Sequence, residues 1–537
     1  MAIIQTQIDT NSAEYQQNSE AMSVAVDEVR TIERRVIELA RSKEERYKQR
    51  GLLVPRERLT HLLDRGAPFL EMSTLCGYLQ EGDKDGSAAG GSCLTGLGYV
   101  QGTLCAILVD DYLTKGGSIT QLGSGKRRRM YELAMAHKLP VIALAQSGGG
   151  NLTTLGDWFG FSGQGFAQQC RLSAKGIPQI TVVHGSATAG GAYQPGLSDY
   201  VIMIRKQSTV YLAGPPLLKA ATGEIATDEE IGGAEMHAST AGTADYLAEN
   251  DEDGIRIARE VTAKLGWDKN ADVRATPEYQ EPLYATQELI GMVPVDPKTP
   301  FDMREVIARI ADASDFVEFK AEYDAGTVCG HISIQGIECG VIANNAPITA
   351  NGAAKAGQFV QLCEQSETPL LFLHNTTGFM VGTAAEQAGI IKHGAKMIQA
   401  VTNATVAKIS VIVGGSYGAG NYAMCGKSID PDFIFAWPKS IVSVMGAEQA
   451  GSVIRTVAQA KMKRMGAVDE AMLDSVEQDT VDAMEARSGA LANTARLWDD
   501  ALIDPRDTRS IVGFALRVCR EGRGRTPKLN TFGIARL

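Results

Sequence analysis

The stretch QITVVHGSATAGGAY, residues 179–193, decides the fold because the chain contains a second version of it. That counterpart is KISVIVGGSYGAGNY, residues 408–422, which begins 229 residues further on. A second pair keeps this spacing of 229, since PVIALAQSGGG begins at Pro140 and PLLFLHNTTGF begins at Pro369. Two independent matches at one spacing indicate an internal duplication. Each copy is an apolar strand that runs into a turn of small residues, so the chain has two junctions of one kind.

The small residues of each junction lie where a helix is predicted to begin. They are Gly190 and Gly191 in the first copy, and Ala419 and Gly420 in the second. The first N–H groups of a helix lack partners within it, and small side chains let a ligand oxygen approach them. This arrangement is typical of an oxyanion hole. Tight packing of helix on strand would also explain the glycines, but the duplication favours the functional interpretation.

Composition and charge set the broad class of the protein. A chain of 537 residues is too long for one core, so we expect at least two domains. The net charge of −11 argues against nucleic-acid binding, which needs a basic surface. The nine cysteines show no CxxC pair, and we expect them to be reduced and buried, with no metal site. No secretory signal and no 18-residue apolar run is found, which predicts a cytoplasmic protein that does not span a membrane.

Strands and helices alternate along both halves of the chain, which predicts a duplicated α/β fold with largely parallel sheets. The duplicated strands are expected to end after Val183 and after Val413. Residues 276–303 contain five prolines, which is typical of a domain boundary. We therefore expect three segments, which are a mobile N-terminal segment over 1–20, a first domain over 21–285 and a second domain over 286–537.

Two familiar motifs compete with this interpretation. Residues 414–418 match the GxSxG pattern, but an α/β-hydrolase needs a histidine later in the chain, and no histidine follows Ser416. Residues 123–126 resemble the end of a phosphate-binding loop, but Arg127 stands where that loop needs Ser or Thr. Neither motif predicts the function.

Charged and histidine side chains add little chemistry of their own. The basic run over 126–129 is expected to be a solvated helix face, with phosphate contact as the alternative. His184 and His374 lie near strand ends and are expected to be structural, with a polar contact to substrate as the alternative. No carboxylate pair or catalytic triad is evident. Backbone donors then suit a reaction in which an oxyanion develops and the base comes from a cofactor.

Longer motifs carry a resemblance to a known family. They are spread over the chain from about residue 22 onward: TAGGAY (188–193), AGPPLLKAATGE (213–224), GGAEMH (232–237), TGFMVGTAAEQAGIIKHGAKM (377–397), GGSYGAGNYAMCG (414–426), GAEQA (446–450) and IDPRDTR (503–509). With these motifs the chain resembles the carboxyltransferase (β) subunits of biotin-dependent acyl-CoA carboxylases. The branch it resembles most contains the methylcrotonyl-CoA and geranyl-CoA carboxylases.

The resemblance implies two tandem ClpP/crotonase-like domains (ββα-superhelix), the first for acyl-CoA and the second for carboxybiotin. The N–H groups of Gly190 and Gly191 are then expected to hold the enolate oxygen of the thioester, and those of Ala419 and Gly420 the ureido oxygen of biotin. Other residues are implied on each side: Thr188, Ala189, Gly165, Phe166 and Ala167 for acyl-CoA; Gly414, Gly415, Ser416, Tyr417 and Gly418 for biotin.

The resemblance also implies a reaction and a partner. Carboxybiotin would provide CO2 for the γ carbon of a branched enoyl-CoA, and the biotin would then take the substrate proton. The biotin acceptor Ala-Met-Lys-Met is absent here, as are ATP-grasp motifs. We therefore expect a biotin carboxylase/biotin-carrier α subunit as partner. A β hexamer in an α6β6 assembly is expected, with each active site between the first domain of one subunit and the second domain of another.

The acyl group is expected to be geranyl or a related terpenoid. Where methylcrotonyl enzymes carry adjacent bulky residues, this chain reads GQGFAQ over 163–168, and it has Ala187 where that pattern has Cys. Smaller side chains leave room for a longer acyl chain. Neutral drift would also explain both departures. The alternatives are a 3-methylcrotonyl-CoA carboxylase β subunit, the acyl-CoA decarboxylase subunit of a biotin-dependent sodium pump, and a non-catalytic assembly scaffold.

Overall fold

The computed structural model describes residues 3–151, 153–267, 277–466 and 468–534. The strands, in chain order, are β1 Phe69–Met72, β2 Cys93–Val100, β3 Thr103–Asp110, β4 Val141–Ser147, β5 Gln179–Thr188, β6 Tyr200–Ile204, β7 Thr209–Tyr211, β8 Tyr246–Ala248, β9 Val317–Glu318, β10 Thr327–Ile334, β11 Ile337–Asn344, β12 Leu370–Thr376, β13 Lys408–Tyr417, β14 Phe433–Ala436, β15 Ile441–Ser443 and β16 Ala501–Leu502.

The α-helices are α1 Ala13–Arg41, α2 Glu44–Lys48, α3 Pro55–Leu62, α4 Gln121–His137, α5 Leu155–Ser162, α6 Gln164–Ala174, α7 Tyr193–Gly196, α8 Pro215–Thr222, α9 Asp228–Gly232, α10 Ala234–Ser239, α11 Asp251–Leu265, α12 Met303–Ile310, α13 Ala350–Gln365, α14 Thr383–Gln387, α15 Ile390–Asn403, α16 Gly418–Ala423, α17 Ala447–Arg464, α18 Glu470–Ser488, α19 Ala490–Ala495 and α20 Thr508–Gly524. Within the described residues, no helix is long and apolar enough to cross a membrane.

The chain forms two compact units, each built around one sheet. Unit N comprises the described residues of Thr31–Ala275, Ala495–Leu497 and Val518–Leu537. Unit C comprises those of Met1–Arg30, Thr276–Thr494 and Trp498–Arg517. This division differs from the predicted domains, because each unit also takes in segments from the ends of the chain. Residues 268–276, which fall in the predicted first domain, lie outside the described residues.

The two sheets have the same topology. Unit N has the strand order β1-β2-β3-β4-β5-β6-β8, with β7 paired to β5. Unit C has the order β16-β14-β13-β12-β11-β10-β9, with β15 paired to β13. In each sheet the first three strands in sequence are antiparallel and the others pair in parallel. The duplicated α/β fold is confirmed, and the sheets are mixed because each begins with an antiparallel hairpin.

The core of each unit lies against its sheet. In unit N, side chains of β3, β4 and β5 pack with α3 and α11, including Ile107, Leu144 and Val182. In unit C, side chains of β11 and β12 pack with α13 and α15, including Ile342, Phe372 and Met397. Full burial of such a side chain stabilises the fold by about 1.5–3 kcal/mol. The continuous apolar runs of the duplicated strands are therefore explained by burial on both faces.

Part of the N-terminal segment, for which the sequence predicts mobility over residues 1–20, is hydrogen-bonded within unit C. The N–H of Ile4 donates to the carbonyl of Ser314 (3.1 Å), and the N–H of Gln7 donates to Glu305 Oε1 (2.7 Å). Helix α1 already begins at Ala13. The backbone N–H groups of Ile4 and Gln7 therefore have acceptors in unit C, which the polar composition of the segment does not reveal.

Candidate active site

The first junction follows β5 in unit N. Thr188 is extended (φ −113°, ψ 146°), Ala189 has a left-handed backbone (φ 53°), and a short 3₁₀ helix then spans Ala189–Ala192. Gly190 is exposed and Gly191 is buried. The backbone of this turn is therefore open to solvent at Gly190 and covered at Gly191.

The second junction repeats this backbone in unit C. Tyr417 is extended (φ −116°, ψ 144°), Gly418 is left-handed (φ 54°), and α16 begins there. Ala419 is exposed and Gly420 is buried. The duplication therefore preserves the shape of the turn as well as its small residues.

Both duplicated strands continue past the ends expected from sequence, to Thr188 and Tyr417. Their last three residues pair with β7 and β15. A register shift in the neighbouring strand precedes this pairing, between Ala145 and Ser147 in unit N and between His374 and Thr376 in unit C. The Gly-rich ends resemble turns in sequence, but a remote strand satisfies their backbone groups.

Different physical requirements explain the glycines at the different positions of the two junctions. A Cβ on Gly190 would meet only the Phe166 ring, at 3.8 Å. On Gly191 it would lie 3.3 Å from the Ser147 side chain, and on Gly420 only 2.7 Å from the Cα of Gly378. Packing alone therefore requires glycine at 420 and favours it at 191. At Gly190 there is room for a side chain, so packing does not explain why this residue is glycine.

Packing also explains two glycines among the remaining residues expected on the biotin side. A Cβ on Gly414 would lie 2.4 Å from Asn375 Oδ1, and one on Gly415 would lie 2.6 Å from the Tyr417 ring. Residues 414–421, GGSYGAGN, carry no charge. The second junction is thus a small, neutral surface with backbone donors, which suits a compact polar group such as a ureido ring.

Helix α6 brings the residues expected on the acyl-CoA side close to the first junction. The rings of Phe166 and Tyr193 lie 5.2 Å apart at an interplanar angle of 49°. Gly165 has nothing within 4 Å of a potential Cβ, and both Gly165 and Ala167 are half-buried. Phe166 is thus the bulky group nearest to Gly190, with small residues on either side of it.

Two tyrosines that the sequence motifs contained, but did not single out, follow the junctions. Tyr193 and Tyr422 are 43% and 48% exposed. They occupy matched positions, 229 residues apart. The spacing of the duplication would have identified this pair, because it retains an exposed aromatic side chain in both copies.

A buried ionic network lies behind the first junction. Arg58 Nε donates to Asp251 Oδ2 (3.1 Å), Arg58 Nη1 donates to Gln146 Oε1 (2.6 Å), and His184 Nδ1 lies 2.8 Å from Asp251 Oδ1. Burial, with the charge of Arg58, lowers the pKa of His184 to about 4. Burial acts to raise the pKa of Asp251, but the bond to His184 and the charge of Arg58 prevail and lower it to about 2. Asp251 is therefore ionised, and a neutral His184 donates to it from Nδ1.

A different buried network lies behind the second junction. Asn421 Nδ2 donates to Ser416 Oγ (2.8 Å), and His374 Nδ1 lies 2.9 Å from the same oxygen. Burial lowers the pKa of His374 to about 3, so its ring is neutral at physiological pH. His374 and Ser416 are both fully buried. The serine of the GxSxG motif has a histidine partner after all, but its hydroxyl is closed off from substrate.

The basic run over 126–129 is only partly solvated, which corrects the expectation of an exposed helix face. Lys126 is buried and donates to the carbonyls of Gly90 (3.0 Å) and Cys93 (2.6 Å). Arg127 pairs with Asp110. These cations satisfy buried acceptors within unit N, which a helical pattern of charges does not reveal.

Comparison with known proteins identifies relatives of the whole chain. The carboxyl transferase domain family matches residues 46–530. The chain is 44% identical over 544 residues to the probable biotin-dependent acyl-coenzyme A carboxylase beta2 subunit of Mycobacterium tuberculosis, with 100% of both chains covered. It is 41% identical to the probable mitochondrial methylcrotonoyl-CoA carboxylase beta chain of Drosophila melanogaster, which covers 100% of this chain and 95% of that protein. The crystal structure of the geranyl-CoA carboxylase beta subunit of P. aeruginosa superposes with a TM-score of 0.93 at 53% identity, covering 100% of both chains.

Proposed function

The chain belongs to the carboxyl transferase family and is a carboxyltransferase of the biotin-dependent acyl-CoA carboxylases, and we propose that its two junctions divide the chemistry. The first junction binds the acyl thioester and the second binds the biotin head group. The observation that carries this assignment is the repeated backbone at 188–191 and 417–420, with one exposed and one buried small residue in each copy.

At the first junction, the N–H groups of Gly190 and Gly191 stabilise the thioester oxygen as it becomes negative. Removal of a γ proton from a conjugated enoyl thioester delocalises the electron pair through the double bond onto this oxygen. The γ carbon then forms the new bond to CO2. One lost oxyanion donor typically costs about 100-fold or more in rate.

At the second junction, Ala419 and Gly420 orient the ureido oxygen of biotin. Carboxybiotin, brought by the partner subunit, supplies both the CO2 and the base. The neutral stretch over 414–421 fits an uncharged ring, and Tyr417 and Gly418 set its backbone shape.

We propose geranyl-CoA, or a related branched terpenoid thioester, as the substrate. Nothing lies within 4 Å of a potential Cβ on Gly165, which leaves space beside α6. The geranyl-CoA carboxylase beta subunit of P. aeruginosa is also 53% identical to this chain. One observation favours 3-methylcrotonyl-CoA instead, because the Phe166 ring lies close to Gly190 and would shorten the pocket.

The test compares steady-state carboxylation of geranyl-CoA and 3-methylcrotonyl-CoA by the holoenzyme. A higher kcat/KM for geranyl-CoA supports the long pocket, whereas equal or better use of the shorter thioester overturns it. Phe166→Ala should improve kcat/KM for the long substrate more than for the short one if the ring limits pocket length.

The assembly belongs to the same proposal. Biotin is carried by an α subunit with biotin carboxylase and carrier functions, and six β subunits form the centre of a cytoplasmic α6β6 complex in which acyl-CoA and biotin sides come from different subunits. The absent biotin acceptor motif supports the need for such a partner. Mass photometry of the co-expressed subunits would test the stoichiometry.

A further inference from the structure

The three residues of the buried network behind the second junction have matched positions in the first copy. His374, Ser416 and Asn421 correspond, at the spacing of 229, to three alanines: Ala145, Ala187 and Ala192. All six residues are buried, with relative exposures between 0% and 9%. One copy is therefore polar at three positions where the other is apolar.

The backbone of the junction does not depend on this difference. Thr188 and Tyr417 have nearly equal φ and ψ, and the next residues have φ values of 53° and 54°. Ala187 and Ala192 belong to an apolar cluster with Val201. Three alanines are thus sufficient to build the turn, so folding of the turn alone does not explain the polar set.

Buried polar groups have a cost that only well-made hydrogen bonds offset. Here the bonds join three elements, because His374 lies on β12, Ser416 on β13 and Asn421 on α16. A Cβ on Gly426 would lie 1.9 Å from Asn421 Oδ1, so this glycine makes room for the amide. Helix α16 also carries Ala419 and Gly420, whose N–H groups are the proposed donors to the ureido oxygen of biotin.

We propose that His374, Ser416 and Asn421 are positioning residues that fix the orientation of α16 and so aim the N–H groups of Ala419 and Gly420. This inference rests on the proposed function of the second junction. An acyl-CoA has a long nucleotide arm whose binding energy can position the thioester. The biotin head group is small and has few contacts, so its orientation depends more on the rigidity of the junction itself.

The experiment replaces the three polar residues with the alanines that occupy the matched positions of the first copy. The variant is H374A/S416A/N421A in the full chain. Kinetics are measured in the reverse direction, with the carboxylated acyl-CoA as donor and free biotin as acceptor, so that each substrate has its own KM. We expect kcat/KM for biotin to fall by about 10- to 100-fold, which is the loss typical of residues that orient metal ligands from behind, while KM for the CoA thioester changes less than twofold. Melting temperature and size-exclusion profile show whether the variant is folded.

Two single variants cover the case in which the triple variant does not fold. Ser416→Ala removes the hydroxyl that joins the other two side chains with little change in volume, and it should give the same split between biotin and thioester. His374→Gln keeps a hydrogen-bonding group near Ser416, and it should recover part of the loss. Recovery would not be expected if His374 only filled space.

Three results would overturn the inference or its premise. An unchanged kcat/KM for biotin in a folded variant means that the network only packs the core. A parallel rise of both KM values with a lower melting temperature means a general structural role. A rise in KM for the CoA thioester alone means that the second junction binds the acyl group, in which case the proposed division of the two sides is wrong.

Discussion

At the residue scale, Ala189 and Gly418 occupy matched positions with the same left-handed backbone, but only one of them is glycine. A left-handed conformation costs a residue with a Cβ about 1–2 kcal/mol. Unit N therefore retains a strained residue in its junction where unit C does not. Strain of this kind is characteristic of functional turns, where the surrounding structure holds it in place.

Ala189→Gly should raise the melting temperature of the protein. The gain is below about 1 kcal/mol, because glycine also makes the unfolded chain more flexible. Ala192→Gly is the matched control, since Ala192 has an ordinary helical φ of −65° and should lose stability on the same change. A loss of stability at both positions would contradict strain at Ala189.

The open backbone at Gly190 allows a substitution that tests the site without disturbing the fold. Gly190→Val should leave the melting temperature nearly unchanged, because a Cβ at this position meets only the Phe166 ring, at 3.8 Å. It should reduce kcat/KM for acyl-CoA by about 100-fold by blocking the thioester oxygen. Activity assays and thermal unfolding of one preparation check both statements.

Ala419→Val provides the corresponding change at the exposed position of the second junction. It should reduce kcat/KM for biotin and leave KM for acyl-CoA near its original value. If Gly190→Val and Ala419→Val affect the same substrate, the two junctions do not have separate roles.

At the element scale, the duplicated strands show what sequence can and cannot predict. The apolar runs at 141–146 and 370–375 are strands in the structure, and the spacing of 229 places the small residues of both junctions at equivalent backbone positions. The predicted ends of these strands were wrong by several residues. In unit N the reason is that Ser186–Thr188 pairs with β7, which lies about twenty residues further on. Pairing with a remote strand leaves no local pattern. The roles of the four junction residues remain predictions.

The buried networks also could not be predicted from the sequence, for a related reason. His184 was expected to be structural, and the structure shows it bonded to Asp251 on α11, 67 residues away. Ser416 was considered only in relation to a later histidine, whereas its partner His374 lies 42 residues earlier. Only the folded sheet brings these side chains together.

The network of Arg58, His184 and Asp251 predicts a loss of stability in acid. The folded pKa of His184, about 4, is below the usual value of 6.5, so the unfolded chain binds the extra proton and stability falls as the pH drops from about 6.5 to 4. The folded pKa of Asp251, about 2, is also below its usual value, and its contribution is lost as the pH drops from about 3.8 to 2. His184 therefore determines how stability depends on pH in the milder acid range, between about pH 6.5 and pH 4.

Urea unfolding between pH 7 and pH 5 measures this effect. One proton corresponds to a slope of at most about 1.4 kcal/mol per pH unit. His184→Gln should lower stability at pH 7 but make it less dependent on pH, and His61→Gln, at an exposed position, is the control. An unchanged slope in His184→Gln would rule out this histidine as a source of the acid sensitivity.

At the scale of the whole molecule, the ends of the chain complete the two units. Residues 3–8 bond within unit C, and the C-terminal tail over 526–534 belongs to unit N. The N–H of Asn530 donates to the carbonyl of Ala174 (2.8 Å), and that of Ile534 donates to Ser173 Oγ (2.8 Å). The tail therefore covers the end of α6, whose other end carries Gly165 and Phe166.

Removal of residues 526–537 should lower the melting temperature by several degrees and raise KM for acyl-CoA, because α6 loses two hydrogen-bonded contacts of about 1 kcal/mol each. Gly176→Ala sharpens the test. Its Cβ would lie 1.9 Å from the carbonyl oxygen of Lys528, and its φ is +72°. The substitution should therefore cost more in the full chain than in the shortened one, and equal costs would contradict the role of the tail.

The repeated junction backbone has a consequence for inhibitor design. A small molecule shaped around the left-handed turn of Ala189 meets almost the same turn at Gly418. Contacts to the main chain therefore cannot make a compound selective for one junction. A compound without other contacts would bind at both junctions. A selective compound has to engage the side chains that differ, Phe166 beside the first junction and Tyr417 at the second.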